Sequence, residues 1–139
     1  MKKYILFLLT NIFIITVHAQ ISATSINGTW QTVAKDAELT IYNEGNLFFG
    51  KITWLKVPGK DDKNPQISLR SRDLVGTVIL TNFTFNGRDR WENGKIYDPS
   101  GGKTYSCTMK LKEPNKLDIR GYIGISLLGR TEVWTRSSR

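Results

Sequence analysis

The sequence predicts an all-β fold, a single eight-stranded up-and-down antiparallel barrel. Beyond Gln20, no segment longer than about ten residues shows helical periodicity. Apolar and polar residues instead alternate with period two, and turn-forming residues recur at strand spacing. Eight short strands joined mostly by tight turns expose two sheet edges unless the sheet closes on itself. A two-sheet β-sandwich is the alternative architecture.

The clearest strand covers residues 103–112. Tyr105, Cys107, Met109 and Leu111 share one of its faces, while hydroxyl and Lys side chains occupy the other. Cys107 is therefore expected to be a buried apolar residue. The remaining strands are predicted at residues 27–34, 37–43, 46–57, 74–86, 90–97, 117–123 and 129–137. The short connections are Lys35-Asp36, Glu44-Gly45, Asn86-Gly87-Arg88, Asp98 to Gly102, and Glu113-Pro114-Asn115.

One connection is long, at residues 58–73, and connections of this length are often functional. We expect it to cover one mouth of the barrel. Its Asp61, Asp62 and Asn64 could offer oxygen ligands to Ca²⁺, but their spacing lacks the Gly and the terminal Glu of a calcium loop. A solvated charge cluster is the favoured interpretation.

Residues 1–19 have the composition of a secretory signal peptide, with Lys2 and Lys3 before an apolar run and cleavage expected after Ala19. The run is shorter than the roughly 20 apolar residues of a membrane span. No Cys follows it to carry a lipid. We therefore expect a single β-barrel domain at 20–139, exported to the periplasm or the medium, with no membrane span after processing.

The charge of the chain is basic, +8 in all and +6 once Lys2 and Lys3 are removed with the leader. The basic residues are scattered, which is typical of a solvated surface, although contact with an anionic envelope surface is the alternative. Nucleic acid is not an expected partner of an exported protein. We expect a monomer.

The residues that usually carry catalysis or bind metals are almost absent. The one histidine, His18, lies in the leader, and Cys107 is the only cysteine. Neither a thiolate nor an imidazole ligand set can form, so no metal and no cofactor are predicted. A glycosidase-like carboxylate pair drawn from Asp89, Glu92 and Asp98 is the remaining catalytic option. Because Asp98 opens an Asp-Pro turn that its side chain can cap, we favour a local role and predict no enzyme.

The first and last predicted strands carry a further pattern. Gly28 and Trp30 open the first strand, and Arg130 and Arg136 lie on the last. This Gly-x-Trp with a distant Arg resembles the signature of lipocalin-like barrels, in which the Trp plugs the closed end and the Arg packs over it. The resemblance implies that Trp30 stacks on Arg130 or Arg136.

A longer resemblance covers nearly all of the chain after the leader. The segments concerned are Asp62 to Pro65, Leu69 to Arg72, Val75-Gly76, Ile79-Leu80, Gly94 to Cys107, Leu117 to Gly124, Gly129 to Thr131, and Trp134 to Arg136. In order and spacing they resemble the domain of unknown function 2147 family of exported bacterial proteins. That implies a lipocalin/calycin-like barrel and no particular activity. Asp73 departs from a common Pro of the family, and the Cys pair that some members carry in the long loop is absent.

We therefore predict an exported binding module for a small apolar or amphipathic ligand. The candidate ligand-binding residues are Trp30, Phe49, Trp54, Tyr105, Arg120, Tyr122, Arg130 and Trp134. The Arg and aromatic residues of the last two strands form either a structural cation–π ladder or a fork that reads a carboxylate or phosphate. The alternative function is a non-catalytic structural or interaction protein of the cell envelope. A filled barrel interior would favour that alternative, and a hollow one the binding module.

Overall fold

The computed structural model describes residues 12–124 and 129–139. The part of the predicted leader at residues 1–11 and the segment 125–128 lie outside the described residues. The strands are β1 Gly28–Gln31, β2 Ala37–Glu44, β3 Leu47–Leu55, β4 Val78–Phe85, β5 Arg90–Asp98, β6 Lys103–Glu113, β7 Lys116–Tyr122 and β8 Arg130–Arg136. Two short 3-10 turns, Ala23–Ile26 and Ile67–Leu69, accompany them.

The eight strands form one closed antiparallel barrel in sequence order, which confirms the predicted fold. Each strand pairs with the next, and β1 pairs with β8 through Trp30 opposite Arg136 and Gln31 opposite Thr135. Because the first and last strands are hydrogen bonded, the open sandwich is excluded. Closure leaves no free sheet edge for another chain to extend.

Four strands are shorter than the alternation predicted: β3 and β8 by two or three residues, and β1 and β4 by four or more. β1 ends at Gln31 because a turn follows, in which the Lys35 amide donates to the Thr32 carbonyl and Lys35 has a φ of 56°. β4 begins only at Val78, because the Thr77 amide donates to the Leu74 carbonyl and closes a turn there. Apolar residues continue into both turns, as Val33 and Val75, but these side chains are 62% and 42% exposed, so the sequence pattern alone extends the two strands too far.

Every strand contributes to one continuous apolar core. Its buried residues are Ile26, Trp30, Leu39, Ile41, Phe48, Ile52, Ile79, Leu80, Phe83, Trp91, Cys107, Met109, Leu111, Leu117, Ile119 and Trp134. Two glycines make room for the bulky members. A Cβ on Gly94 would overlap the Phe83 ring, and one on Gly50 would lie 2.7 Å from Leu80 Cδ1. Glycine is therefore required where a large side chain lies over the neighbouring strand in so narrow a barrel.

The N-terminal 3-10 turn closes one end of the barrel. Two buried indoles donate to its backbone: Trp30 Nε1 to the Ile26 carbonyl at 2.8 Å, and Trp91 Nε1 to the Ala23 carbonyl at 3.1 Å. Ile26 itself is fully buried beneath them. A Trp in an apolar interior needs a hydrogen-bond partner for its N–H. Here these two hydrogen bonds attach the N-terminal segment of the chain to the barrel.

Arg136 completes this closed end. Its guanidinium lies 4.2 Å from the Trp30 ring centre and donates to the carbonyls of Ser25, Asn27 and Pro114, each at 3.0 Å. The predicted Trp–Arg stack is therefore confirmed for Arg136 and is wrong for Arg130. Gly28 explains the Gly of the motif, because it has a φ of +128° and a Cβ there would lie 2.8 Å from Arg136 Nη1.

We expect Trp30→Ala to lower the free energy of unfolding by about 3–5 kcal/mol, because it leaves a large void under Arg136. Trp54→Ala is the matched control. Trp54 also stacks on an arginine, with Arg139 4.0 Å from its ring centre, but it is only half-buried, so its loss should cost about 1 kcal/mol. Denaturant melts measure both values. Equal losses would contradict the plug at the closed end.

Candidate ligand cavity

The other half of the barrel is hollow. A cavity of about 770 Å³ opens to solvent at the end opposite the 3-10 turn. Its described lining consists of Ile79, Ile96, Tyr97, Asp98, Pro99, Ser100, Tyr105, Ile119, Gly121, Tyr122, Ile123, Arg130, Glu132 and Trp134. This volume lies within the roughly 300–1,000 Å³ range of pockets that bind small molecules.

The register of β7 and β8 determines which side chains enter the cavity. Leu117 pairs with Trp134, Ile119 with Glu132, and Gly121 with Arg130, in order from the closed end to the mouth. These are the inward-facing positions of both strands, since side chains alternate across a sheet. Gly121 adds room at the mouth, because it presents no side chain there.

The charged groups of the lining lie toward the mouth. Glu132 is about one-third exposed, and its Oε1 lies 3.2 Å from Nη2 of Arg130, whose side chain is 85% exposed. Its Oε2 is 3.4 Å from Trp134 Nε1. Asp98 caps the β5–β6 turn as predicted, accepting from the amide and the hydroxyl of Ser100 at 2.9 and 2.6 Å. The walls are otherwise aliphatic and aromatic.

The long connection 58–73 packs beside this mouth and is attached to it through Asp61. The Asp61 carboxylate accepts from the Tyr97 hydroxyl at 2.5 Å and from Asn64 Nδ2 at 2.8 Å, and lies 2.8 Å from Arg72 Nη2. Because Tyr97 lines the cavity, this network joins the loop to the cavity wall. A Cβ on Gly102, in the β5–β6 turn, would overlap the Lys63 carbonyl, so loop and turn are in direct contact.

The burial of Asp61 corrects one sequence prediction. Asp61 is completely buried and Asn64 is 5% exposed, so they do not form a solvated cluster. Burial by itself raises the pKa of Asp61, but hydrogen bonds from Tyr97, Asn64 and Arg72, together with the Arg72 charge, outweigh it and lower the pKa. Burial and the Asp61 hydrogen bond raise the pKa of Tyr97 to about 12.

Asp73, which stands where the resembled family commonly has Pro, is held in place by Lys60. Its backbone forms a β-bridge with Lys60, and its carboxylate lies 2.6 Å from Lys60 Nζ. The two ends of the long connection are therefore held together.

The structure divides the eight predicted ligand-binding residues. Tyr105, Tyr122, Arg130 and Trp134 line the cavity. Trp30, Phe49, Trp54 and Arg120 are not among its lining residues.

Three of these four have other surroundings on the barrel wall. Phe49 stacks on Tyr42 with ring centres 5.9 Å apart, and Trp54 lies beneath Arg139. Arg120 donates to the Thr131 hydroxyl at 2.7 Å and borders a separate outer groove of about 200 Å³. Its neighbours Ile119 and Gly121 line the cavity, so Arg120 faces outward. The proposed grouping of Arg120 with Arg130 is therefore wrong.

Sequence reasoning missed the aliphatic part of the lining, formed by Ile79, Ile96 and Ile119, and its partly buried carboxylate, Glu132. Glu132 alternates in phase with Trp134 on β8, and this spacing is the signal that would have placed its side chain on the inner face of the barrel.

Two of the catalytic candidates are far apart: Asp89 pairs with Lys110 at 3.6 Å just before β5, and Asp98 ends the same strand, so their carboxylates lie near opposite ends of β5. Cys107 is fully buried, and burial raises the pKa of its thiol to about 12, as expected for an inert side chain. The described residues contain no group of three or more metal-ligating side chains.

The geometry places the protein in the class of lipocalin-like barrels, closed at one end and hollow at the other. A solved structure of protein HP1028 from Helicobacter pylori, described as belonging to the lipocalin family, matches with a TM-score of 0.75 and 24% sequence identity, covering 81% of this chain and 83% of that one. Residues 28–136 match the model of a family described as an uncharacterized protein conserved in bacteria, DUF2147. The chain belongs to this family. No curated protein matches it.

We expect Asp61→Asn to loosen the long connection and cost about 1–3 kcal/mol, because it removes the charge that faces Arg72 and replaces one of the two buried acceptor oxygens with a donor. Asp62→Asn removes the same charge from an exposed position and is the control. Hydrogen exchange at the Asp61 amide, which donates to the Arg72 carbonyl, reports the loosening locally.

The pH dependence of this contact follows from the sign of the Asp61 shift. A carboxyl with a lowered folded-state pKa stabilises the protein fully above its unfolded pKa. That contribution is lost as the pH falls through the folded pKa, so the loop should stay protected until the pH is below about 4. Loosening at mildly acidic pH would contradict the network.

Proposed function

We propose that this protein is a binding module that holds a small apolar or amphipathic molecule in the hollow half of its barrel. The observation that carries the proposal is the cavity of about 770 Å³, open at one end and walled by aliphatic and aromatic side chains. An empty apolar cavity stabilises nothing, since its walls lack contacts that a filled core would supply. The plugged end shows that the chain has bulky residues available to fill a barrel where filling is needed.

This distribution favours the binding module over a structural envelope protein. In a purely structural barrel, the interior of β5 to β8 would be packed as densely as the interior around Trp30 and Trp91. Instead, Gly121 lies at an inward position of the mouth, where a side chain would have room. The scattered basic surface remains compatible with contact to an anionic envelope, as a property additional to ligand binding.

We also propose that the protein is exported. The apolar side chains Ile12, Phe13, Ile14, Ile15 and Val17 are each at least 79% exposed, so the barrel does not use them. Contact with the core begins at Ile21, just after the expected cleavage site. An apolar segment that the fold leaves in solvent is what a removable leader requires. The described residues include no helix that is long and apolar enough to cross a membrane.

The surroundings of the cavity carboxylates support binding rather than catalysis. The two carboxylates of the cavity, Asp98 and Glu132, already accept hydrogen bonds from neighbouring groups. Neither has a histidine beside it to exchange protons, because the sequence has none after the leader.

We expect Gly121→Leu to abolish ligand binding without unfolding the barrel. A Cβ at this position meets Ile96 Cγ2 at 3.5 Å and Tyr105 Cβ at 3.9 Å, which are ordinary contacts, so the new side chain projects into the cavity. Purified protein is titrated with fatty acids, fatty alcohols and alkylamines, with Trp fluorescence as the readout. The original protein should saturate with at least one class of amphiphile, and the variant should not respond.

Val133→Leu is the control, because Val133 alternates with the cavity residues Glu132 and Trp134 and is 42% exposed on the outer face. It should bind as the original protein does. If the original protein responds to none of these amphiphiles, the structural alternative is favoured. Native mass spectrometry of material from the natural host then identifies any ligand that is carried through purification.

Processing provides a separate prediction. The intact mass of exported material should correspond to a chain beginning at Gln20, without lipid. A species that retains residues 1–19, or one with an attached acyl chain, would contradict the export proposal while leaving the cavity proposal untouched.

A further inference from the structure

We infer that the ligand of the cavity carries a cationic head, an alkyl or aryl ammonium group recognised by Glu132 and the surrounding aromatic faces. This inference rests on the proposed binding function and narrows its ligand class. It begins from the charges of the lining. Two carboxylates, Asp98 and Glu132, oppose one guanidinium, Arg130. The segment 125–128 that joins β7 to β8 adds no charged residue by its sequence.

The Glu132 carboxylate lies deeper in the barrel than the Arg130 guanidinium. Glu132 pairs in register with the buried Ile119, one inward-facing position deeper than Arg130. The Arg130 side chain is 85% exposed, and an ion pair with so exposed a partner contributes little. The charge that faces the interior is therefore negative, and its present counterion lies largely in water.

The inward position of the negative charge matters most when a ligand fills the cavity. A bound apolar chain displaces the water that solvates Glu132, and a carboxylate that loses water without gaining a partner is strongly destabilised. An anionic head would add repulsion to that cost. An ammonium group supplies the missing donors, and Glu132 Oε2, whose contact with Trp134 Nε1 is a long 3.4 Å, can accept from it.

The aromatic walls favour the same head group. Tyr105, Tyr122 and Trp134 line the same cavity, and Trp134 contacts the carboxylate through its Nε1. Their ring faces attract a desolvated cation, and such aromatic surroundings are a common way for proteins to hold ammonium groups. The other acidic group, Asp98, uses Oδ1 for Ser100, and no hydrogen bond from the described residues reaches its Oδ2. It therefore has an oxygen to offer at the mouth.

The test uses three probes of equal chain length and different charge: decylamine, decanoate and decanol, each below its critical micelle concentration at neutral pH. Calorimetry and Trp fluorescence of the purified protein should show decylamine binding at least about tenfold more tightly than either of the others. This preference would oppose the overall positive charge of the protein, which by itself attracts decanoate.

Glu132→Gln keeps an oxygen for Trp134 Nε1 and removes the charge. It should weaken decylamine binding about tenfold and strengthen decanol binding, because decanol then no longer desolvates a charged carboxylate. Glu113→Gln is the matched control, because it makes the same change of net charge at the β6–β7 turn, on the closed end, where Glu113 is 61% exposed. It should alter no affinity.

The possible outcomes distinguish the cationic head group from the proposed binding function. Binding of decanoate or decanol as tight as that of decylamine overturns the cationic head and leaves the binding module standing. An equal loss in Glu113→Gln assigns the preference to bulk charge and also overturns it. If none of the three probes binds, the proposed function fails together with the inference. The comparison of probes in the original protein needs no variant, so a poorly folding Glu132→Gln does not remove the test.

Discussion

The contact between Arg136 and Trp30 is the interaction on which the rest of this barrel depends. Closing an up-and-down sheet brings together the two strands that are farthest apart in the chain, and this pairing must be held against the entropy of a long loop closure. β1 and β8 share only two paired positions. The guanidinium adds three hydrogen bonds to carbonyls that belong to neither β8 nor the β1 ladder. Charge-assisted bonds of this kind are worth about 1.5–3 kcal/mol each.

Closure at one end determines what the other end can be. Trp30, Trp91 and Phe83 fill the narrow base, whereas the β5 to β8 wall above them presents smaller groups such as Ile96, Ile119 and Gly121 beside its aromatic residues, and a cavity results. The barrel therefore separates stability from binding along its axis. Residues near the base can be tested by denaturation, and residues near the mouth by titration, with little expected coupling because distant sites contribute almost additively.

The Asp61 network belongs to the mouth rather than to the core. A fully buried carboxylate is usually a poor way to gain stability, since its desolvation cost consumes most of the attraction of its partner. What it does provide here is a specific position: Tyr97 of β5 donates to Asp61, while Asn64 and Arg72 hold that carboxylate from within the loop. A rigid loop at the mouth keeps the cavity preformed, so that a ligand does not have to order it on binding.

The sequence by itself determined the eight strands, their inward faces, the burial of Cys107 and the Trp–Arg closure, because period-two alternation and a local motif report on short stretches of chain. It also predicted four of the cavity residues, among them Tyr105 and Trp134. Only the tertiary structure decided the rest. Alternation places Arg120 on the face of β7 opposite Ile119, but which β8 residue lies beside it depends on the β7–β8 register, and a shift of one residue changes every pair. Whether an inward Ile contacts other side chains or borders the cavity depends on residues from four strands at once. The local sequence pattern of one strand does not include those residues.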